Sequence, residues 1–407
     1  MTKTIYSEKT EEVELVVLLA KQLQNNGIPA HRMEETFATV CKILDIEGDV
    51  FSSPNGLMIN VGQKGDLKTF FIKAPYGDLN FEKLDKIDKV YEDIISQKIT
   101  TSHAIKILYL IESSPKRYHS LIEILFFGIS TGSAARLFGG AYAEIFVSFI
   151  IGCFIGFLID LTTKLPRIGR MLIVISALFA SSFAKLSVMY LGNYSVDVAT
   201  ITGLIILIPG FSFTVSIIEL VNGHALAGTA RFSNTMITLL MIGLGIGVGS
   251  QIDKLVEVNA SLVSLPILPQ WTIYIALLTV PLGFVVLFKA LPKDFVWILL
   301  ACLCSYYTLK LSSDLGSASF SIFLASFILG LVSNVFGMLT NKPVTIMLVP
   351  GIILLVPGSL GFQSIANLLD NETLRGVETA FSMTITAVSL VAGLILSNIV
   401  LAPKKSF

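Results

Sequence analysis

The chain has 407 residues, 53% of them hydrophobic and 14% charged, with a formal net charge of zero. A mean hydropathy of +0.77 excludes an ordinary soluble globular protein and points to an integral membrane protein. The balanced charge argues against nucleic acid as a partner.

Charge gathers at the start: residues 1–118 hold 15 Lys/Arg and 17 Asp/Glu, more than half of the 29 of each sign. This divides the chain near Arg117 into a soluble domain, 1–118, and a membrane region. Met1 to Glu14 is polar and acidic and lacks an apolar core, so no secretory signal is expected and the soluble domain should stay in the cytoplasm. Val13, Val16, Val17, Ala20 and Leu23 recur at helical spacing, and Gly27 stops that helix. A second helix follows Pro29, with Met33, Phe37, Val40 and Leu44 on one face. Short β-like runs come next, Val50–Phe51, Leu57–Val61 and Lys68–Ile72, parted by Pro54-Asn55-Gly56 and Gly62-Gln63-Lys64-Gly65. Two more helices are expected over about 81–97 and 101–112. The result is an α+β domain long enough for one core. His31, His103 and His119 show no metal-ligand spacing, so docking or regulation is the plainer role.

The remaining chain reads as ten apolar spans: 121–138, 141–161, 171–191, 197–219, 232–250, 271–289, 294–310, 317–338, 344–366 and 377–400. They fall into two five-span repeats, 119–255 and 268–403. With the N-terminus inside, Lys164, Arg167, Arg170, Arg231, Lys289, Lys293, Lys342, Lys404 and Lys405 lie on cytoplasmic loops or ends. Arg136, Lys185, Lys254, Lys310 and Arg375 do not, and the imbalance favours this orientation. Cys41, Cys153, Cys302 and Cys304 have no ligand spacing and read as packing residues.

Leu207–Gly228 (LIPGFSFTVSIIELVNGHALAG) aligns without a gap on Leu355–Gly376 (LVPGSLGFQSIANLLDNETLRG), with 8 of 22 positions identical. The copies lie on the fourth and ninth spans. An odd separation means opposite crossing directions, hence an inverted repeat of the kind secondary transporters use. Pro209-Gly210 and Pro357-Gly358 should break both helices, which is tolerated only where protein or a wet cavity satisfies the freed backbone. Ser148–Gly152 and Ser326–Gly330 form a weaker echo.

Substrate-binding candidates surround the breaks: Pro209, Gly210, Ser212, Thr214, Ser216, Pro357, Gly358, Ser359, Gln363 and Ser364. The hydroxyls and amide can bond a polar substrate, or serve only the freed backbone. Arg136 and Lys185 can attract a carboxylate, although a lysine near a span end also snorkels to the interface. Intramembrane carboxylates are costly and usually functional, so Glu219, Glu144 and Asp160 are the proton-coupling candidates. Asp160 and Asp197 can equally be solvated at an interface, and Arg231 can be a simple positive-inside anchor or the cation that pairs with Glu219. Gly128-Ile-Ser130-Thr-Gly132 fits the string of a hydrolase nucleophile elbow, but that motif needs a strand-to-helix turn and this one lies in an apolar helix. Small-residue helix packing accounts for it.

The chain resembles the threonine/serine exporter family over its whole length. The residues that carry this are Gly27-Ile-Pro-Ala-His-Arg32-Met-Glu34, the stretch Leu84 to Ile111, Gly128 to Glu144 (GISTGSAARLFGGAYAE), the Pro209-Gly210 span and Pro357-Gly358-Ser359. In that family the two sets of five spans are fused, as here, or split between subunits, and split relatives look like dicarboxylate exporters. Relatives often carry Asp where this chain has Glu144. The resemblance implies proton-driven export of a small polar metabolite, threonine or serine first, across the plasma or inner membrane. A small dicarboxylate is the alternative cargo; a membrane hydrolase and a ligand sensor are the rivals of other classes. No Walker motif argues for ATP drive, and no cofactor or metal is expected. Lipid and protons are the expected partners, and a homo-oligomer is compatible with the sequence.

Overall fold

The computed structural model describes residues 10–53, 55–254, 268–369 and 371–403. Residues 1–9 of the polar start, Pro54 of the expected turn, and Lys404 and Lys405 lie outside these ranges.

The N-terminal region runs α1 (Thr10–Asn25), α2 (Ala30–Ile43), β1 (Glu47–Ser53), β2 (Gly56–Gln63), β3 (Asp66–Ile72), α3 (Phe81–Ile95) and α4 (Thr101–Glu112). The three strands form an antiparallel meander in the order β1-β2-β3. Val50, Leu57, Ile59 and Val61 turn inward and are buried, whereas Phe51 and Met58, paired across the other face, are half exposed. Leu15, Leu19, Leu23, Phe37, Phe81 and Leu84 complete the core from the apolar stripes of α1, α2 and α3. Gly27 ends the first helix with a positive φ of 81°, a conformation a β-carbon penalises. Pro29 precedes α2 in extended backbone, and Asn80 and Thr100 cap α3 and α4 through their side chains.

The apolar region follows as α5 (Ser120–Leu137), α6 (Tyr142–Lys164), the short α7 (Pro166–Gly169), α8 (Leu172–Leu191), α9 (Val196–Gly203), α10 (Gly210–Val221), α11 (Ala225–Gly249), α12 (Thr272–Leu287), α13 (Phe295–Ser312), α14 (Ala318–Thr340), α15 (Thr345–Leu355), α16 (Gly358–Leu369) and α17 (Thr373–Val400). Eight helical stretches among the described residues are long and apolar enough to cross a membrane, and Gly210–Val221 and Thr272–Leu287 are shorter apolar helices. The chain is a multi-pass membrane protein. Its expected fourth and ninth spans are both interrupted at the Pro-Gly pairs. α9 stops at Gly203 and α10 restarts at Gly210; α15 stops at Leu355 and α16 restarts at Gly358.

The two copies of the repeat fold alike. Each half-helix ends in a tight turn with positive φ, 85° at Gly223 and 63° at Asn371. The turn closes with His224 N–H on Glu219 O at 2.9 Å in one copy and Glu372 N–H on Asn367 O at 2.8 Å in the other. A methyl on Gly228 would come within 2.7 Å of Leu220 Cγ, and one on Gly376 within 2.6 Å of Leu368 Cγ, so both hairpins close on a glycine. Half-helix α10 packs on α11 and on α17; α16 packs on α17 and on α11. The ends of α5 and α12 also correspond: Gly140 N–H bonds Ala135 O at 2.9 Å and Ala290 N–H bonds Val285 O at 2.8 Å. The echo between Ser148–Gly152 and Ser326–Gly330 has no such counterpart. The first lies on α6, packed on α5, α8 and α9; the second lies on α14, packed on α13, α15 and α17.

Candidate functional site

The two breaks touch. A β-carbon on Gly210 would run into Val356 Cγ1 and come within 2.9 Å of Gly358 Cα. A β-carbon on Gly358 would lie 3.1 Å from Ile208 Cγ2 and 3.6 Å from Gly210 Cα. The N-termini of α10 and α16 therefore meet, each led by a proline that offers no donor. Gly210 N–H already bonds Ile208 O at 2.8 Å and Gly358 N–H bonds Val356 O at 2.9 Å, but the next N–H groups of a helix's first turn have no partner within it and carry the positive end of its dipole. Two such ends meeting make a place suited to a carboxylate.

The polar side chains around the breaks divide. Thr214 Oγ1 donates to Gly210 O at 3.2 Å, Ser216 Oγ to Phe213 O at 2.6 Å and Ser364 Oγ to Gly376 O at 2.8 Å, so these three serve the backbone. Ser212 and Ser359 are half-buried beside the two helix starts, and Gln363 is exposed.

Arg136 and Lys185 find their partners at helix ends, not at the breaks. The Arg136 guanidinium, 8% exposed, donates to Thr272 Oγ1 at 2.6 Å and to the carbonyls of Gly140, Leu268 and Pro269 at 3.3–3.4 Å. It ties the end of α5 to the start of α12. Lys185 Nζ donates to Ser250 O at 2.9 Å, closing the C-terminus of α11. In this structure both cations are engaged in helix-end contacts, which distant partners decide.

The carboxylates are also engaged. Glu144 is 6% exposed, and accepts from Ala141 N–H at 2.9 Å and from Ser195 N–H at 2.8 Å, stitching the start of α6 to the start of α9. Asp160 lies 3.6 Å from Lys164, one turn on. Glu219 is fully buried and takes both arms of Arg231, Nε to Oε2 at 3.0 Å and Nη2 to Oε1 at 3.1 Å. Removing one partner of such a pair typically costs about 3–5 kcal/mol. The same carboxylate accepts the N–H of Ala30, at 3.3 Å, from the first turn of α2. Arg231 lies over the Tyr76 ring at 4.0 Å, and His224 Nδ1 lies 3.3 Å from Glu34 Oε2. Burial pushes the Glu34 carboxyl above its ordinary range, against the pull of His224. The N-terminal region thus covers the end of α10.

Two contacts escaped the sequence reading. Asp294, 1% exposed, is ion-paired with Lys342. It stands six residues beyond Phe288, as Glu144 stands six beyond Phe138, and that correspondence was the available signal. Asn367 and Thr379, at the positions of Glu219 and Arg231 in the second copy, share a hydrogen bond of 3.4 Å. Ser130 sits within α5, donates to Phe126 O at 2.7 Å and packs on Gly283 of α12, which is the helix-packing reading rather than a nucleophile elbow. Among the described residues no group of three or more His, Cys, Asp or Glu side chains is placed to hold a metal ion.

Comparison with known families agrees with this layout. Residues 14–253 match a family described as putative threonine/serine exporter, and residues 272–400 match one described as threonine/serine exporter, ThrE. The chain belongs to the threonine/serine exporter family. Both matched segments contain one of the broken helices. Among curated relatives of this exporter family member, an uncharacterized protein of Schizosaccharomyces pombe is 24% identical over 60% of the chain and 33% of its own length. Pheromone-regulated membrane protein 10 of Eremothecium gossypii is 23% identical over 58% of the chain and 32% of its own length. The protein of the same name from Pichia sorbitophila is 21% identical over 63% of the chain and 26% of its own length. The chain therefore spans a third or less of these relatives. No solved structure matches it.

Proposed function

We propose that this exporter is a secondary carrier of a small carboxylate-bearing metabolite, threonine or serine first, bound where the N-termini of α10 and α16 meet. The contact between Gly210 and Gly358 carries this reading, because it brings both half-helix N-termini to one point. Ser212 and Ser359 flank that point and suit an amino or hydroxyl group. A dicarboxylate such as succinate would use the same two helix ends, so it remains the second cargo to test.

In this reading the two five-span halves are an inverted repeat. The like-folded hairpins support it, as does the exchange of partners by which α10 packs on α17 and α16 on α11. The N-terminal region contacts the turns after α10 and α12, which the ten-span count assigns to the same, cytoplasmic, side. The proton gradient is the proposed drive, with Glu219 taking a proton when its pair with Arg231 opens. Glu144 is the lesser candidate, since its partners are fixed backbone N–H groups whereas Glu219 is paired with a side chain that can swing away.

The test is counterflow in proteoliposomes loaded with threonine, serine or succinate. Saturable exchange of threonine or serine is the expected outcome, with net export, measured separately, quickened by an imposed pH gradient. Exchange of none of the three would reject the reading.

A further inference from the structure

Among the described residues, the N-terminal domain holds the membrane domain at two places, one on each half. The first anchor is Glu219 with Arg231: Ala30 N–H donates to the carboxylate at 3.3 Å, and the Tyr76 ring lies under the guanidinium at 4.0 Å. Tyr76 is itself held by Ser52 Oγ at 2.9 Å, and Ser52 by Gln24, which is buried in the domain core. The second anchor joins two helices end to end. Phe81 N–H donates to Phe288 O at 2.9 Å and Glu82 N–H to Lys289 O at 3.3 Å, so the start of α3 meets the end of α12. Tyr118 OH adds a bond to Ala290 O at 3.0 Å. Each anchor places a helix N-terminus of the soluble domain on acceptors of the membrane domain, which the helix dipoles favour.

The charged pair of the first anchor is not needed to build its hairpin. The second copy makes the same turn with Asn367 and Thr379, a neutral pair, at the corresponding positions. What distinguishes the first copy is the soluble domain against it. A carboxylate fully buried there needs both Arg231 and the Ala30 N–H, and the soluble domain supplies the latter.

We propose that the soluble domain is a brace. It ties the broken hairpin α10–α11 of one half to the α12–α13 turn of the other, and one anchor has to release before the site between the breaks can open to the cytoplasm. This rests on the transport reading above. The domain does not drift away on release, because only residues 113–119 separate α4 from α5 and Arg117 is ion-paired with Glu82 on α3 at 2.5 Å.

Ala30→Pro with Tyr76→Leu tests the brace and leaves Glu219 and Arg231 in place. Proline suits the first position of a helix, and Pro29 before it is already extended at ψ 150°, so α2 should persist while its donor to Glu219 is gone. The measurements are amide exchange at Phe81 and Glu82, exchange at Leu57–Val61 as a check on the domain core, and initial export rate in proteoliposomes. With the core still protected, exchange at Phe81 and Glu82 should quicken at least tenfold and export should rise several-fold. Unchanged protection at the second anchor, or faster exchange with export unchanged or lower, overturns the brace. Tyr118→Phe, which removes one hydroxyl at the second anchor and cannot unfold the domain, should raise export in the same direction and more weakly; a fall would count equally against it. A wild-type chain that moves none of the three substrates rejects the transport reading instead, and is told apart by the wild-type control alone.

Discussion

Gly210→Ala is the substitution with the sharpest expectation. The added carbon would overlap Val356 Cγ1 and sit 2.9 Å from Gly358 Cα and 3.1 Å from Gly358 N, so two of its three nearest neighbours are backbone of the facing break. Overpacking costs about 1–3 kcal/mol, with the upper end applying where neighbours cannot rotate away. About 3 kcal/mol corresponds to roughly a 150-fold change in an equilibrium at about 1.36 kcal/mol per decade. Gly358→Ala is the matched control, because its carbon would first meet Ile208 Cγ2, a side-chain methyl, at 3.1 Å. Its expected cost is about 1 kcal/mol. Thermal unfolding in detergent and initial export rate should both show the inequality, with Gly210→Ala far more damaging than Gly358→Ala. Equal effects, or wild-type export by Gly210→Ala, would refute the contact between the breaks.

Arg136→Lys should destabilise the membrane domain by about 1–3 kcal/mol, since an ammonium cannot reproduce the guanidinium fork and leaves buried carbonyls unserved. The KM for substrate should stay constant; a KM that rises while stability holds would return Arg136 to substrate binding. Glu144→Gln replaces one acceptor with a donor facing a backbone N–H, and should lower thermal stability while the pH profile of export keeps its shape. A displaced pH profile would make Glu144 the coupling group. Burial, with Arg32 and His224 adding to it, pushes His31 down to about 3 from 6.5. Unfolded chain therefore binds a proton that folded chain refuses, so the stability held by neutral His31 is complete above pH 6.5 and is lost as pH falls from there toward 3. His31→Gln should flatten the fall of melting temperature across that window, and an unaltered slope would contradict the assignment.

The breaks were legible from the paired Pro209-Gly210 and Pro357-Gly358 of the repeat, although proline alone does not decide them: Pro281 sits inside α12 and Pro350, with Gly351 after it, inside α15. The strands were legible for a similar reason, since Pro54-Asn55-Gly56 and the Gly62–Gly65 stretch bracket alternating apolar residues. Arg231 was readable as a partner for Glu219 because the two lie on adjoining helices joined by a short turn. The roles of Arg136 and Lys185 were not readable. Each depends on carbonyls more than 60 residues away, at Leu268, Pro269 and Ser250, and a sequence does not announce which helix ends will meet. The same is true of Ala30 and Glu219, 189 positions apart.

The exchange of partners between the hairpins bears on how the chain is made. α10 and α11 leave the ribosome early and can pack on each other and on α8, but the faces they give to α17 and α16 have to wait. At roughly 5–20 residues per second, α17 is complete about 8–30 s after α11. For that interval the faces meant for α16 and α17 are open to lipid, to the insertion machinery and to quality-control proteases. Biosynthesis of this fold is therefore a waiting problem: the first half has to be retained in the bilayer, incomplete, until the second half arrives.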